Sequence, residues 1–257
     1  MKVVLIGSGN VATHLGKALK GAGHSILQVY SRSETGAKAL ARKLSCTYTN
    51  NIKNISDKGD VYLIAVRDEA IEPFVKSFPS TDKIVVHTSG SVPINVLKEK
   101  FRNCGVMYPV QSFSIDRELD LTNVPFCIEA GNDGVKKKIT ALIKKVSHKI
   151  HDIDSAQRKK IHLAAVFANN FANHLFEISE HLLAIENIPF DIIRPLIVET
   201  AMKVQSHLPA EMQTGPAKRG DKKVIKEHLE LLRNKKKFKK IYKLLSESIS
   251  DMNGIRF

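Results

Sequence analysis

The order of apolar and polar residues divides the chain into two parts. Through the first part, short runs rich in valine and isoleucine alternate with segments whose apolar residues recur at helical spacing. This alternation is typical of a parallel sheet with crossover helices. Strands are predicted at residues 2–6, 25–30, 61–66, 83–87, 105–108, 126–129 and 149–153, and helices at residues 10–20, 35–44 and 133–147, whereas residues 46–48 show only a weak pattern.

From Ser155 onward the sequence shows helical spacing only. Residues 155–186 contain neither glycine nor proline and predict one long helix, which ends at Asn187-Ile188-Pro189. Further helices are predicted at residues 190–206, 222–232 and 236–249, with a turn at residues 208–221. We therefore predict an α/β domain over residues 1–153 and an all-helical domain over residues 154–257.

The first predicted strand leads directly into the turn Gly7-Ser8-Gly9-Asn10-Val11-Ala12, which fits the pattern G-x-G-x-x-G/A. The first glycine permits a tight turn, the second lets the backbone approach a pyrophosphate, and a small third residue allows close helix–strand packing. Free N–H groups at the start of the helix attract the phosphates. Because the pattern lies between a strand and a helix, we predict a Rossmann-type dinucleotide-binding domain.

The residues after the second strand indicate which dinucleotide binds. NAD sites place Asp or Glu there, bonded to the ribose 2′-hydroxyl, whereas this chain has Ser31-Arg32-Ser33. An arginine fork between two hydroxyls suits the 2′-phosphate of NADP. Glu34 is the counter-evidence, although it lies one or two positions late, and a plain surface charge is the alternative explanation of Arg32. The predicted cofactor is NADP(H).

Three further loops follow the carboxyl ends of strands, where ligands bind in open α/β sheets. The loop after the fourth strand is expected on the adenosine side and the loop after the fifth, which follows His87, nearer the nicotinamide. Ordinary turn chemistry explains any single residue of these loops equally well. The predicted cofactor-binding residues are Gly7, Ser8, Gly9, Asn10, Val11, Ala12, Ser31, Arg32, Ser33, Ala65, Val66, Arg67, Thr88, Ser89 and Gly90, and the third loop offers Tyr108, Gln111 and Ser112 to the substrate.

Charge and composition narrow the functional classes. The chain has 40 Lys and Arg against 26 Asp and Glu, and its net charge of +14 would attract an anionic cofactor or an acidic substrate. The lysines are spaced as on solvated helix faces and there is no Trp to stack on bases, so nucleic acid is not an expected partner. No apolar run reaches the roughly 18 residues of a membrane span, and no signal peptide is recognisable. Three scattered cysteines suggest neither disulfides nor a metal site, and we expect a cytoplasmic protein.

The long helix carries an unusual set of polar residues. At about 100° per residue, His162, Asn169, Asn173 and Glu180 fall close to one line on an otherwise apolar helix. Asn and His are poor helix formers, which suggests a polar cleft beside the cofactor; a solvent-facing row is the alternative. In such a cleft His162 can donate a proton while amides hold a carbonyl or imine. The predicted catalytic residues are His162, Asn169 and Asn173.

A second signal lies at residues 213–221, which combine turn-forming residues with a cation and an anion. Asp221 is placed to cap the following helix. The loop can present Arg219 to an anionic substrate group, and a helix connector with an internal Arg–Asp pair is the alternative. The candidate substrate contacts in this part of the chain are Gly215, Pro216, Arg219 and His228.

These motifs together resemble known proteins. Residues 7–12, 31–33 and 65–68 are similar to the NADP-binding domains of pyrroline-5-carboxylate reductase and of the deazaflavin-dependent NADP reductases. Nearly the full length resembles a bacterial family of candidate NADP oxidoreductases, in which a Rossmann-like domain precedes a helical domain of unknown function. That resemblance implies homodimers joined through the helical domains, and it implies no particular substrate. It rests on residues 87–90, 108–114, 162–174 and 214–221 and on His228.

Two positions depart from the related proteins. Arg67 stands where the reductases have the proline of a Val-Pro-Asp pattern, which would reshape the adenosine-side turn. Related β-hydroxyacid dehydrogenases carry a catalytic lysine in the first helix of the second domain, where this chain offers His162 with Lys159 and Lys160 just upstream. The register there is open, so the role of the lysine is not carried over, and a shared fold does not by itself supply a reaction.

The leading hypothesis is an NADP(H)-dependent oxidoreductase that reduces a small carbonyl or imine compound. In such an enzyme the cofactor supplies hydride, and the protein orients and polarises the substrate. The first alternative is a non-catalytic NADP-binding sensor or scaffold protein, whose polar helix residues can stay solvated. The second is nucleic-acid binding by the basic helices, which would weaken steeply with salt.

Overall fold

The computed structural model describes residues 1–255 of the 257-residue chain. The chain forms two compact units, the first comprising Met1–Asn170 and the second starting at Phe171. The domain boundary predicted at residue 153 coincides with the end of the last strand, and the two compact units divide within the helical segment that follows. That boundary stays a prediction.

An eight-stranded sheet forms the centre of the first unit. Its strands are β1 (Lys2–Ile6), β2 (Ser25–Tyr30), β3 (Thr47–Thr49), β4 (Val61–Ile64), β5 (Ile84–His87), β6 (Cys104–Pro109), β7 (Phe126–Ala130) and β8 (Ile150–Asp152). They lie in the order β3-β2-β1-β4-β5-β6-β7-β8, and every neighbouring pair is parallel except β6 and β7. The first six strands have the Rossmann order, with its switch point between β1 and β4. The predicted fold class is confirmed.

Helices cover both faces of this sheet. They are α1 (Asn10–Gly21), α2 (Glu34–Leu44), α3 (Asp68–Ser77), α4 (Asn95–Lys98) and α5 (Asp133–Ile143), with a 3-10 turn at Ile52–Asn54. One apolar core lies under α1, α2 and α5, and the other lies under α3 and α4. Alternate residues of the central strands contribute to the two cores, as Val3 and Val4 of β1 do, because successive side chains point to opposite faces. The central strands are therefore apolar at nearly every position.

Two of these helices were not predicted from the sequence. Pro73 lies inside α3, where it interrupts the helical pattern, and α4 has only four residues. A glycine ends α1: Gly23 has a φ of +82°, and the next N–H, of His24, bonds to the Leu19 carbonyl at 3.0 Å. A glycine in this left-handed conformation is a common helix terminus.

Beyond β8 every regular element is helical. Within residues 155–255 these elements are α6 (Ser155–Ala165), a π-helical segment (Val166–Phe171), α7 (Ala172–Ile185), a 3-10 turn (Phe190–Ile193), α8 (Arg194–Ser206), α9 (Pro209–Met212), α10 (Pro216–Arg219), α11 (Lys222–Leu231) and α12 (Lys236–Met252). The predicted long helix is confirmed in extent, although its middle is π-helical. The turn predicted at residues 208–221 contains the short helices α9 and α10. No helix between residues 1 and 255 is long and apolar enough to span a membrane.

A buried ion pair fastens the start of α6 to the sheet. The Arg158 side chain is 1% exposed, and its Nη1 lies 2.5 Å from Oε2 of Glu129 in β7. Its Nη2 donates to the Val92 carbonyl at 2.7 Å and to Ser155 Oγ at 3.1 Å. Ser155 Oγ also donates to the Glu129 carboxylate at 2.7 Å. No sequence motif marks this pair, because its partners lie 29 residues apart.

Removing one partner of this pair should destabilise the protein more than removing both. Arg158→Met leaves the Glu129 carboxylate without its cation and should lower the free energy of unfolding by about 3–5 kcal/mol. Adding Glu129→Met should recover most of that loss. Urea denaturation measures both effects, with the exposed neighbour Lys159→Met as the control. If Arg158→Met unfolds at the same urea concentration as Lys159→Met, the pair does not stabilise the fold.

Candidate functional site

The glycine turn lies where the end of β1 meets the loop after β4. Gly7 has a φ of +119°, and its N–H donates to the Tyr30 carbonyl at 2.7 Å. A Cβ on Gly7 would lie 2.2 Å from the Ala65 carbonyl oxygen, so only glycine fits. A Cβ on Gly9 would meet nothing within 4 Å. The backbone at Gly9 is therefore open to a ligand.

The helix α1 begins directly after this turn with free backbone N–H groups. Gly9 is its N-cap and provides no side-chain acceptor, and the first turn contains no acidic residue. The positive end of the helix dipole is thus uncompensated, as suits an anion site. This geometry fits a dinucleotide pyrophosphate.

The loop after β6 folds over the start of α1. Asn10 Nδ2 donates to the Phe113 carbonyl at 2.7 Å, and His14 Nε2 lies 2.9 Å from the Ser114 carbonyl. The Asn10 side chain is therefore committed to this loop, which leaves its backbone N–H as the group that can meet a phosphate. Residues 111–112 are exposed and joined by a 2.8 Å bond from the backbone to the Gln111 amide oxygen.

A cleft of about 590 Å³ opens beside the glycine turn. Its lining residues include Ser8, Ser31 and Arg32, and Ser8 Oγ donates to Ser31 Oγ at 3.0 Å. Ser33, which also lines the cleft, caps α2 by accepting from the Gly36 N–H at 3.2 Å. Arg32 is exposed and forms no ion pair within residues 1–255. Its guanidinium is available to a phosphate.

The loop after β4 forms another wall of this cleft. Ala65, Val66 and Arg67 line it, and the Arg67 guanidinium lies 3.3 Å from the Glu69 carboxylate, with both side chains largely exposed. The next residue, Asp68, begins α3 and accepts a hydrogen bond from Ser91 Oγ. That bond joins the loop after β4 to the loop after β5.

Internal hydrogen bonds hold the loop after β5. Ser89 Oγ accepts from the N–H groups of Ser91 at 3.1 Å and Val92 at 3.0 Å. Beneath it, His87 is fully buried and its Nδ1 accepts from the Ser89 N–H at 3.2 Å. Burial, and secondly the charge of Arg158, lower the pKa of His87 to about 3. His87 is therefore a neutral support for the loop.

Tyr108, His162 and Gly90 come from three separate segments and meet in the structure. The Tyr108 hydroxyl lies 3.2 Å from His162 Nδ1, and the two rings meet edge to face at 6.0 Å. A Cβ on Gly90 would lie 2.8 Å from His162 Nδ1 and 2.9 Å from Tyr108 Cζ. One candidate substrate residue, one candidate catalytic residue and one candidate cofactor residue thus share a site at the carboxyl edge of the sheet.

The polar line expected along the long helix is interrupted by the π-helical segment. Its i→i+5 hydrogen bonds each enclose one more residue than those of an α-helix. The side chains beyond the segment are therefore rotated from the positions that α-helical spacing assigns to them. Asn169 lies in the segment and Asn173 is the second residue of α7, and both are exposed. A helical projection at α-helical spacing therefore assigns the wrong faces to the residues that follow. No sequence pattern marked the π-helical segment.

The candidate substrate residues near the C-terminal loop belong to the second unit. Gly215 has a φ of +106° and precedes Pro216, the first residue of α10. Arg219 is exposed, and the alternative of an internal pair with Asp221 is not found among the described residues.

Asp221, at the end of that loop, and His228, beyond it, each form a hydrogen bond with a residue of a helix. Asp221 caps α11 as expected, since its Oδ1 accepts from the Val224 N–H at 3.1 Å. His228 Nδ1 lies 2.8 Å from the Tyr242 hydroxyl. This bond ties α11 to α12.

Alanine at the two turn glycines should have separable effects. Gly9→Ala has room and an ordinary backbone conformation, so the melting temperature should stay unchanged while NADPH affinity falls about tenfold or more, because the methyl group occupies the pyrophosphate approach. Gly7→Ala should lower the melting temperature itself because of its clash with Ala65. Calorimetry and thermal unfolding measure the two quantities. Unchanged NADPH binding by Gly9→Ala would remove the turn from the cofactor site.

Two family models match the chain. Residues 2–90 match the model described as NADP oxidoreductase, coenzyme F420-dependent. Residues 124–249 match a domain of unknown function, DUF2520. A comparison with curated proteins finds no match.

Several solved structures are similar over nearly the whole chain. A candidate NADP oxidoreductase from Bacteroides fragilis is 41% identical with a TM-score of 0.91, over 97% of this chain and 98% of that one. The 1-pyrroline-5-carboxylate reductase of Streptococcus pyogenes is 14% identical with a TM-score of 0.66, over 98% of both chains. A reductive aminase from Aspergillus terreus, in complex with NADPH and ethyl-5-oxohexanoate, is 12% identical with a TM-score of 0.65, over 99% of this chain and 88% of that one. The last two likenesses concern the fold alone.

Proposed function

The chain belongs to the NADP oxidoreductase family that includes the Bacteroides fragilis protein, and we propose that it reduces a small carbonyl or imine compound with NADPH. The observation that carries this proposal is the meeting of Tyr108 and His162 over Gly90. It places two proton-bearing side chains at the sheet edge where Rossmann domains bind their ligands.

The cofactor of this family is NADP(H), and the residues of the cleft fit it. The free N–H groups at the start of α1 suit the pyrophosphate, and the unpaired Arg32 with its two flanking serines suits the 2′-phosphate. The loop of Ala65, Val66 and Arg67 would face the adenosine side, and Thr88, Ser89 and Gly90 the nicotinamide. When bound, NADPH supplies the hydride.

Chemistry and the shared fold support the proposed substrate class. A pyrroline-5-carboxylate reductase and a reductive aminase have similar folds, which supports a C=N or C=O group as the reducible bond. The net charge of +14 supports an acidic substrate. We keep Asn169 and Asn173 as proposed substrate-polarising residues, and Gln111, Ser112, Gly215, Pro216, Arg219 and His228 as proposed substrate contacts. A cytoplasmic location likewise stays a proposal.

The reductase proposal is tested by following NADPH consumption with a panel of cyclic imines, keto acids and neutral ketones. We expect turnover with at least one imine or carbonyl compound and a preference for those bearing a carboxylate. NADPH binding without consumption across the panel would instead favour a non-catalytic NADP sensor.

Arg32→Ala should weaken NADPH binding selectively. A charge-assisted hydrogen-bonded contact contributes about 1.5–3 kcal/mol, so NADPH affinity should fall about 10- to 150-fold while the weaker NADH affinity stays unchanged. Arg102→Ala is the matched control, because this exposed arginine precedes β6 at the opposite edge of the sheet. Calorimetry gives both constants. Equal losses for NADPH and NADH would contradict a contact with the 2′-phosphate.

We also propose a homodimer that buries apolar side chains of α8 and of the 3-10 turn before it. Neither α7 nor α8 has a buried residue, and Ile192, Leu196, Val198 and Met202 are each 60% exposed or more. Apolar patches of this kind usually mark interaction sites. Sedimentation velocity should show a dimer that Leu196→Glu dissociates, whereas a monomeric wild-type protein would refute the proposal.

A further inference from the structure

We propose that Tyr108 and His162 form a proton-delivery pair, in which the Tyr108 hydroxyl protonates the substrate and His162 Nδ1 replaces that proton. The inference rests on the proposed reductase function and names the group that completes the reduction. It changes the roles expected from the sequence, where His162 was the proton donor and Tyr108 only a substrate contact.

The geometry of the pair gives each side chain a distinct position. The Tyr108 oxygen and His162 Nδ1 are 3.2 Å apart, within reach of a proton transfer between them. Tyr108 lies on β6, in the rigid sheet, whereas His162 lies on α6 and is only partly buried. The phenol is thus the fixed member of the pair, and the imidazole can exchange protons with water.

The environment of Tyr108 keeps its hydroxyl protonated. Burial is the main cause that raises the pKa of Tyr108, and Cys127 and Asp68 raise it further, while Arg158 acts in the opposite direction. A protonated phenol at neutral pH is a donor that can yield its proton only when a stronger base forms beside it. A substrate oxygen or nitrogen that gains charge on receiving hydride is such a base.

Gly90 places this pair at the predicted nicotinamide end of the cofactor site. Because Gly90 has no side chain, the loop after β5 can pack directly against both rings. A Cβ at this position would lie under 3 Å from each. Two other titratable groups near the loop, His87 and Asp68, already form hydrogen bonds with its serines. His87 is fully buried with Nδ1 occupied, and Asp68 accepts the hydroxyl of Ser91.

The buried ion pair of Arg158 and Glu129 holds the imidazole in place. Arg158 precedes His162 by four residues, so both side chains lie on the same face of α6. Because Arg158 is anchored to β7 and to the Val92 carbonyl, this face of α6 is held against the sheet. Arg158 is in this sense a positioning residue for His162.

The step balances as an ordinary two-electron reduction. Hydride from NADPH adds to the carbon of the C=O or C=N bond, whose π electrons move to the oxygen or nitrogen. That atom takes the proton of the Tyr108 hydroxyl, and the phenolate takes a proton from Nδ1 of the His162 imidazolium, which becomes neutral imidazole. The imidazole then takes up a proton from solvent, so the reduction consumes one H⁺ overall. An already protonated iminium would need no proton at this step, and with it the pair would instead hold the amine product.

The test compares Tyr108→Phe and His162→Gln in the full-length protein with matched controls. Tyr48→Phe changes an exposed tyrosine of β3, and His151→Gln an exposed histidine of β8. With a keto-acid substrate, Tyr108→Phe should lower kcat about 10²- to 10⁴-fold with little change in NADPH affinity. If His162 relays the proton, kcat of the wild type should decline at alkaline pH, and His162→Gln should remove that decline.

A second measurement does not depend on turnover. The imidazole NMR signals of His162, identified by their loss in His162→Gln, should have different chemical shifts in Tyr108→Phe than in the wild type, because the hydrogen bond is gone. An unchanged kcat in Tyr108→Phe, or identical His162 signals, would overturn the pair. A wild-type protein that consumes no NADPH with any compound would overturn the proposed function, and the NMR comparison then still decides whether the pair exists.

Discussion

No side chain fits between the end of β1 and the loop after β4, and the arrangement of the loops at the carboxyl edge of the sheet depends on this constraint. A Cβ on Gly7 would lie 2.2 Å from the Ala65 carbonyl. The close approach lets the chain turn at once into α1, whose free N–H groups then face the same edge as the loops after β2, β4 and β5. The start of α1, Arg32 and the cleft of about 590 Å³, which we propose holds the cofactor, all lie around this turn.

A second constraint places the candidate chemistry. The ion pair of Arg158 and Glu129 is costly to desolvate, and a buried pair of this kind is weak evidence for net stability. The pair also has a positioning role, because it fixes the start of α6 to β7 and to the segment after β5. His162, one turn further along α6, is thereby held beside Tyr108 and Gly90. The same ion pair thus fixes α6 to the sheet and sets the position of His162.

The two units differ in how their apolar residues are covered. In the first, both faces of the sheet lie under helices and the cores are nearly fully buried. In the second, α7 and α8 have no buried residue and several large apolar side chains are exposed. The exposed apolar side chains of those helices support the proposed assembly of two copies.

Local pattern alone was enough for much of this protein. The bounds of β1, β2 and α1, the helix-ending Gly23 and the cap at Asp221 follow from neighbouring residues, because hydrogen bonding within an element and alternation across a sheet are local properties. Composition and the residues after β2 likewise pointed to NADP.

Only the tertiary structure could decide the contacts between distant segments. Tyr108 and His162 lie 54 residues apart, and Arg158 and Glu129 lie 29 apart. No periodicity relates such positions, since their meeting depends on strand order and on how helices pack against the sheet. The π-helical segment was hidden for a similar reason, because its extra residue has no marker in composition. The sequence therefore predicted where the dinucleotide binds, and the packing of α6 on the sheet decided which side chains meet over Gly90.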